Sequence, residues 1–323
     1  MWIDIFWLVL GLGLILGGAG FLTDGSSAIA RRFGISDLII GLTVVAFGTS
    51  APELVISVIA ASQGSAPLAV GNVVGSNIFN ILAIIGFTAL VRPIVVKKSV
   101  MTTEIPMVIL SSLILLVLGY ASVLDGTKNM VSRVNGVFLL IFFALFMRYT
   151  FASARHRDPA EADPAETTGG VGLPIWRSVL YVIGGLTALI WGGSKFVDGA
   201  SAIAHSLGVS DAVIGLTIVA MGTSLPELAT SIVAAVKNHA ALAVGNVIGS
   251  NIFNVLFVLG TSAVVHPLPF DGIGHTDLWV LMVASVLFFV FGWFFHRREI
   301  TRAEGAVLAL GYVAYTAYLV ATV

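Results

Sequence analysis

The chain has 323 residues, of which 58% are apolar and only 10% charged, with a formal net charge of −1 and a mean hydropathy of +1.02. Soluble domains use about 25% charged residues, so this composition predicts an integral membrane protein. No cysteine is present, which excludes disulfides, thiolate metal sites and cysteine catalysis. The six histidines form no pair at i, i+4 spacing, and a zinc site has no support.

Apolar segments long enough to cross a hydrocarbon core of about 30 Å recur along the chain and predict about ten transmembrane helices. No basic region precedes the first segment, so we expect it to remain as a span rather than to be cleaved as a signal peptide. The polar segment 155–170 is rich in Pro, Ala, Gly and charge and indicates a flexible linker. The predicted spans lie near 3–23, 36–61, 67–90, 103–121, 129–149, 174–205, 210–236, 241–265, 277–295 and 302–322.

These segments predict an all-α polytopic membrane protein made of two halves with five spans each. The first half covers 1–149, a cytoplasmic linker covers 150–173, and the second half covers 174–323. Basic residues remain in cytoplasmic loops, and an outside N-terminus places thirteen of the sixteen Lys and Arg residues inside. Only Lys128 and Arg133 then lie outside, and one lysine falls within the sixth segment. We therefore expect both termini to be extracytoplasmic. The short polar loops suit a protein of a prokaryotic plasma membrane.

Two stretches of the chain repeat each other. Residues 36–93 align with 210–267 without a gap, and 35 of the 58 positions are identical. Because each half has an odd number of spans, the second copy enters the bilayer from the opposite side, which is the architecture of many secondary transporters. Helix packing is the alternative explanation for the repeated glycines, since the small-residue spacings that start at Gly71 and Gly245 suit close helix contacts.

The repeated phrase "GTSAPE" at 48–53 and "GTSLPE" at 222–227 places a glutamate inside each copy, Glu53 and Glu227. A carboxylate at membrane depth costs at least about 2.5 kcal/mol on insertion scales, so intramembrane acids usually face a polar cavity. Packing does not account for two such groups. We interpret both glutamates as functional.

Each glutamate follows a proline, and prolines break helical hydrogen bonding. Pro52 and Pro226 lack an N–H, so they are predicted to release main-chain carbonyls, including those of Gly48 and Gly222. Broken helices are tolerated in membranes only where protein or a water-filled cavity receives the freed groups. The phrase therefore predicts a patch of carbonyl, hydroxyl and carboxylate oxygens at membrane depth.

A second repeated phrase, "GNVVGSNIFN" at 71–80 and "GNVIGSNIFN" at 245–254, adds neutral oxygens. Ser and Asn lie at i, i+4 on one face of each helix. Hard cations such as Ca²⁺ take six to eight oxygen ligands from carboxylates, amides and carbonyls. Hydrogen bonding between helices explains any one of these side chains alone, but their duplication beside a glutamate favours an ion site. The side chains concerned are Ser76, Asn80, Ser250 and Asn254.

Other repeated acids carry less information. Asp24 and Asp198 correspond in the two halves and lie where the first and sixth segments turn polar, so capping, gating and ion contact remain open for them. Ser36-Asp37 and Ser210-Asp211 precede helical segments and are typical of N-cap pairs.

At these phrases the sequence resembles the sodium/calcium exchanger family of the cation/calcium antiporter superfamily, and the resemblance extends through the five-plus-five layout of the chain. It implies ion binding by the main-chain carbonyls of two alanines and by ten side chains. Some relatives carry an aspartate at the place of Asn80 or Asn254, whereas this chain has asparagine at both, so its site holds two carboxylates. The implied ligands are Ala46, Thr49, Ser50, Glu53, Ser76, Asn80, Ala220, Thr223, Ser224, Glu227, Ser250 and Asn254.

Three other functions compete with this interpretation. A proton/calcium exchanger would use the same repeat and glutamates with another driving ion, and it is the main alternative. A primary pump would need a nucleotide site, and no G-x-x-x-x-G-K-[ST] phrase occurs. An intramembrane aspartyl protease built on Asp24 and Asp198 would leave the duplicated glutamates unexplained.

We therefore expect an antiporter, not an enzyme, that exchanges Ca²⁺ for Na⁺ by alternating access. The transported ions are Ca²⁺ and Na⁺, and the sequence predicts no cofactor. Its surroundings are the lipid bilayer, with no nucleic-acid partner and no obligatory protein partner. The segment 150–173 is too short to fold as a calcium-sensing regulatory domain.

Overall fold

The computed structural model describes residues 2–124, 126–155, 173–208, 218, 220–271, 273–295 and 298–322. Most of the predicted linker and the first part of the seventh predicted span lie outside these ranges. The described chain is almost entirely helical. Its helices are α1 (Trp2–Phe33), α2 (Asp37–Thr49), α3 (Ala51–Ser62), α4 (Ala66–Val91), α5 (Val100–Gly119), α6 (Ala121–Leu124), α7 (Arg133–Arg155), α8 (Ile175–Ser206), α9 (Ala220–Gly222), α10 (Leu225–Val236), α11 (Ala240–Val265), α12 (His275–Phe294) and α13 (Arg302–Thr322).

Eight of the described helices are long and apolar enough to cross a membrane, and the pair α2 and α3 forms a ninth, bent span. These nine match nine of the ten predicted spans. Helix α10 is the described second half of the remaining, seventh predicted span, near 210–236, and it corresponds to α3 in the repeat. The fold is thus an all-α polytopic membrane protein, as the sequence predicts.

The first span is longer than expected. We predicted an end near residue 23, but α1 continues as a helix to Phe33 and includes Asp24, Arg31 and Arg32. Basic residues in the last turn favour the helix because they complement the negative end of its dipole. The polar tail is therefore helical.

Helices α1 and α8 pack against each other along a stripe of glycines. Gly11, Gly18 and Gly25 recur every seven residues on α1, and their repeat counterparts lie at the same spacing on α8. A Cβ added at Gly18 would lie 2.8 Å from the carbonyl oxygen of Gly185. The two backbones therefore touch directly, and only glycine permits this approach.

Helices α4 and α11 form the centre of the molecule. Within their apolar segments 83% and 94% of the residues are buried, against 28% in both α1 and α8. Helix α11 crosses α2 closely, because a Cβ at Gly245 would lie 2.4 Å from the carbonyl oxygen of Leu38. The second half of the molecule thus packs into the broken span of the first half, and this contact contains the polar groups described below.

Two short antiparallel strand pairs join elements from opposite halves. Strand β1 (Ile94–Val95) pairs with β4 (Glu299–Ile300), and β2 (Met130–Val131) pairs with β3 (Leu268–Pro269). The two pairs lie at corresponding places in the repeats. Such reciprocal strand pairing between the halves is expected of an inverted repeat whose halves are related by a two-fold axis.

Candidate functional site

The phrase "GTSAPE" forms a break in the second span. Helix α2 ends at Thr49, α3 begins at Ala51, and the two axes differ by 47°. Pro52 lies in the first turn of α3, where its missing N–H disrupts no helical hydrogen bond. Pro226 occupies the same place in α10. The prolines thus mark where each second half-helix begins, and the preceding hydroxyls lie at the break.

The Gly48 carbonyl has no helical i+4 donor, because residue 52 is a proline without an N–H. The main-chain N–H of Ser50 donates to the carbonyl oxygen of Ala46 at 3.0 Å. The Thr49 hydroxyl also lies 3.5 Å from the Ala46 carbonyl oxygen. Because the half-helix tightens at its end, its last carbonyls find local donors. The predicted ligand at Ala46 accepts hydrogen bonds from its own turn in this conformation.

The two glutamates are each held by the opposite half of the molecule. The Ser50 hydroxyl donates to Glu227 Oε1 at 2.9 Å, and the Ser224 hydroxyl donates to Glu53 Oε1 at 3.2 Å. Both glutamates are at most 1% exposed. These symmetric bonds bring four predicted site residues together at the two helix breaks. Neither carboxylate has a salt-bridge partner among the described residues.

Several buried oxygens of the predicted site have no hydrogen-bond partner within the described part of the chain. They come from both halves and from all three chemical types that hard cations prefer, namely carboxylate, amide and hydroxyl. Native proteins leave few buried polar atoms unpaired, so such a concentration indicates a function for them. The atoms are Glu53 Oε2, Glu227 Oε2, Ser76 Oγ, Ser250 Oγ, Asn80 Oδ1, Asn254 Oδ1 and Thr223 Oγ1.

Both predicted asparagine ligands lie at the start of a π-helical segment. Asn80 is the second residue of the segment Phe79–Ile85 in α4, and Asn254 is the first residue of Asn254–Leu259 in α11. Such wider turns interrupt regular helices and are frequent at functional sites. Ser76 and Ser250 lie one turn earlier on the same helices. The last predicted ligand, the Ala220 carbonyl, belongs to α9, one turn before Ser224.

Sequence reasoning missed four asparagines that surround this site. Asn72 donates to the carbonyl oxygen of Glu53 at 3.3 Å, and Asn246 donates to that of Glu227 at 3.3 Å. Asn77 and Asn251 bond to the predicted ligands Asn254 and Asn80. All four are repeated inside "GNxxGSNIFN", so the signal was present in the sequence. Spacing along one helix did not reveal it, because their partners lie on other helices.

The remaining repeated acids lie apart from the glutamates. Asp24 pairs with Lys237 at 2.7 Å, whereas Asp198 pairs with Lys195 of its own helix at 3.2 Å. Ser36 caps α2 as predicted, since its hydroxyl accepts from the N–H of Ile39 at 3.3 Å. The corresponding pair Ser210-Asp211 lies outside the described residues.

Asp37, the second member of the first N-cap pair, has a further partner. It is buried, and its Oδ2 lies 2.5 Å from Nδ1 of His239. The hydroxyl of Ser27 lies 3.3 Å from the same carboxylate oxygen. Asp37 thus links α1 and α2 to the start of α11, in addition to its place in the first turn of α2.

A cavity of about 230 Å³ adjoins the site on one side. Its lining includes both repeat prolines, Pro52 and Pro226, together with Thr223, Gly193 and Asp198. It lies between α8 and the two helix breaks. Thr223 therefore borders a cavity that extends to the exposed carboxylate of Asp198, while its hydroxyl oxygen is itself buried.

Two inverted half-bundles with broken spans, buried carboxylates and unpaired oxygens at their contact define a class of protein, the ion-transporting secondary carrier. The sodium/calcium exchanger protein family matches residues 3–152 and 177–321 of this chain. The chain belongs to the sodium/calcium exchanger family.

Individual relatives cover nearly the whole chain. The inner membrane protein YrbG of Escherichia coli is 37% identical over 97% of this chain and 95% of its own. The sodium/calcium exchanger MaX1 of Methanosarcina acetivorans is 32% identical over 97% of both chains. A solved structure of the sodium-calcium exchanger NCX_Mj, soaked with Na⁺ and Ca²⁺, superimposes with a TM-score of 0.81 at 34% identity over 98% of both chains.

Proposed function

We propose that this protein exchanges Ca²⁺ for Na⁺ across a prokaryotic plasma membrane by alternating access. The observation that carries the proposal is the set of buried, unpartnered oxygens around Glu53 and Glu227. The twelve predicted positions are the proposed ligands. The relatives named as sodium/calcium exchangers support the choice of ions.

The proposed chemistry follows from charge and ligand type. Ca²⁺ loses its hydration shell on entering a dry site, and two carboxylates together balance its two charges. The hydroxyls and carbonyls provide neutral oxygens that suit Na⁺. Because the ligand sets share the glutamates, occupancy by one ion excludes the other. No covalent step is involved.

In this proposal the two repeats act as the moving parts. Inverted repeats place the substrate site where the halves meet, and rocking of one bundle against the other exposes that site to each side in turn. The close backbone contacts between α1 and α8 lie on the boundary between the two halves, where such movement would occur.

The driving ion is tested with vesicles. Vesicles that contain the protein and are loaded with Na⁺ should take up Ca²⁺ after dilution into Na⁺-free buffer. Vesicles loaded with choline should take up none when only a pH difference is imposed. Lower pH should slow sodium-driven uptake, because protons compete with Ca²⁺ for the carboxylates.

The choline vesicles separate the two exchangers that share this site. Robust uptake there would contradict sodium coupling and establish a proton/calcium exchanger instead. Vesicles without protein provide the background. The Glu227→Gln protein, reconstituted at equal density, controls for leak caused by protein insertion.

A further inference from the structure

Four asparagines cross-link the two repeats beside the glutamates. Asn254 Nδ2 donates to Asn77 Oδ1 at 3.1 Å, and Asn80 Nδ2 donates to Asn251 Oδ1 at 3.1 Å. Each of the four side chains is at most 1% exposed. Each bond joins one proposed ligand, on α4 or α11, to an asparagine of the opposite helix that is not itself a proposed ligand.

The direction of the Asn77 amide follows from its second partner. Its Nδ2 donates to the main-chain carbonyl oxygen of Asn251 at 3.1 Å. A carbonyl only accepts, so the NH₂ group of Asn77 must face it. The oxygen of Asn77 is then turned toward Asn254, which must offer its own NH₂ group. The Oδ1 atom of Asn254 therefore points the other way and has no partner in the described structure.

This direction matters for a cation. The amide end of an asparagine has a broad, two-fold torsional preference, so an unheld amide presents its oxygen or its NH₂ group. An oxygen coordinates a cation, whereas an NH₂ group places partial positive charge against it. A neutral ligand at residues 80 and 254 thus requires a group that sets the direction of the amide.

We infer that Asn77 and Asn251 are positioning residues that turn the amide oxygens of Asn254 and Asn80 toward the transported cation. The inference rests on the proposed function and adds to it the residues that make two asparagines usable as ligands. Asn77 is held by a main-chain carbonyl. Asn251 faces Asn80 in the same way, because its Oδ1 accepts from Asn80 Nδ2 at 3.1 Å.

The test combines a loss and a rescue. Asn77→Leu keeps the branched shape of the side chain but removes the acceptor for Asn254, and we expect the Ca²⁺ concentration at half-maximal exchange to rise about tenfold. The maximal rate should change by less than about twofold. An aspartate at 254 has two oxygens and needs no orienting partner. The Asn254→Asp/Asn77→Leu double variant should therefore have the same half-saturation as Asn254→Asp alone.

Controls separate this role from a general packing defect. Ser112→Ala removes a buried bond between α5 and α12, 2.8 Å long, and should leave half-saturation unchanged. Thermal unfolding of each purified variant reports folding. If Asn77→Leu does not fold, Asn251→Leu with Asn80→Asp as its rescue replaces it in the same experiment.

The outcomes are distinct. A wild-type protein without calcium exchange would contradict the proposed function. Wild-type exchange together with unchanged half-saturation in Asn77→Leu would contradict only the present inference. A double variant that remains about tenfold weaker than Asn254→Asp would also contradict it, because the loss would then be structural rather than orientational.

Discussion

The site has two ends, the helix break that contains Thr49 and the helix break that contains Thr223. The two ends carry the same residues in different surroundings. Thr49 is fully buried and donates to Asn246 Oδ1 at 3.2 Å, whereas its repeat counterpart Thr223 is partly exposed and lines the cavity. The first end is packed and the second is open. The same phrase therefore acquires different packing from its different neighbours.

The charged residues outside the site follow the same division. At the packed end Asp24 of α1 bonds to Lys237 at the end of α10, so the pair spans two helices of opposite halves. At the open end Asp198 pairs within α8. The position that corresponds to Lys237 is Gln63, so only one end has a cation to bridge the halves. The difference is therefore partly encoded in the sequence.

The largest expected effect tests whether the glutamates at the two ends are equally necessary for calcium exchange. Glu53→Gln and Glu227→Gln should each abolish calcium exchange, because the amide keeps the volume but removes charge that offsets dehydration of Ca²⁺. Calcium flux in proteoliposomes and thermal unfolding measure activity and folding. Glu104→Gln, at a buried glutamate in α5 outside the repeat, should keep exchange. Near-normal flux in either site variant would mean that its carboxylate is structural.

A second prediction concerns the helix pair that flanks both ends. Gly18→Leu should separate α1 from α8 and cause loss of most activity, with a destabilisation of about 1–3 kcal/mol, because a side chain there meets the α8 backbone. Gly17→Leu is the matched control, since a Cβ at Gly17 meets nothing within 4 Å. Unfolding midpoints and flux are compared. Equal behaviour of the two variants would contradict the proposed close packing.

A smaller effect should distinguish the ends. Asp24→Asn removes the ion pair between the halves, and a half-exposed pair is worth about 0–1 kcal/mol. Alkylation of a cysteine at Thr49 should therefore become up to about fivefold faster. Asp198→Asn, which removes only a pair within one helix, should leave that rate unchanged. An equal increase in both variants would show that Asp24 does not close the packed end.

The smallest effect fixes which side of the membrane the packed end faces. Single cysteines near Gln63 and near Asp271 should react from outside intact cells, and one near Lys98 should not, because the loop charges place Lys98 in the cytoplasm. Transport itself should be unaffected. The packed end, with Lys237, would then be cytoplasmic and the cavity extracytoplasmic. Labelling of Lys98 from outside would reverse both assignments.

Much of the fold was predictable because membranes restrict structure strongly. Apolar length alone predicts the spans, since every main-chain group in lipid must be bonded within its own segment. The gapless repeat predicts the inversion, and hence that Glu53 and Glu227 belong to one site. Nine spans of the described structure correspond to predicted ones, although the first continues as a helix to Phe33.

Two features required three-dimensional contacts. The glycine stripes of α1 and α8 are present in the sequence, but their pairing depends on which helices become neighbours. The orientation of Asn254 depends on Asn77, 177 residues away. Hydrogen-bond partners on other helices have no fixed spacing, so sequence patterns cannot predict them.

By itself the sequence determined the class of protein, the inverted repeat and the residue types of the proposed site, because hydropathy and identity between repeats can be read directly along the chain. Only the tertiary structure decided that Thr49 is fully buried while Thr223 lines a cavity, and that the Ala46 carbonyl is bonded by its own turn. The physical reason is that two copies of one phrase have the same intrinsic preferences, while packing against opposite halves assigns them different neighbours.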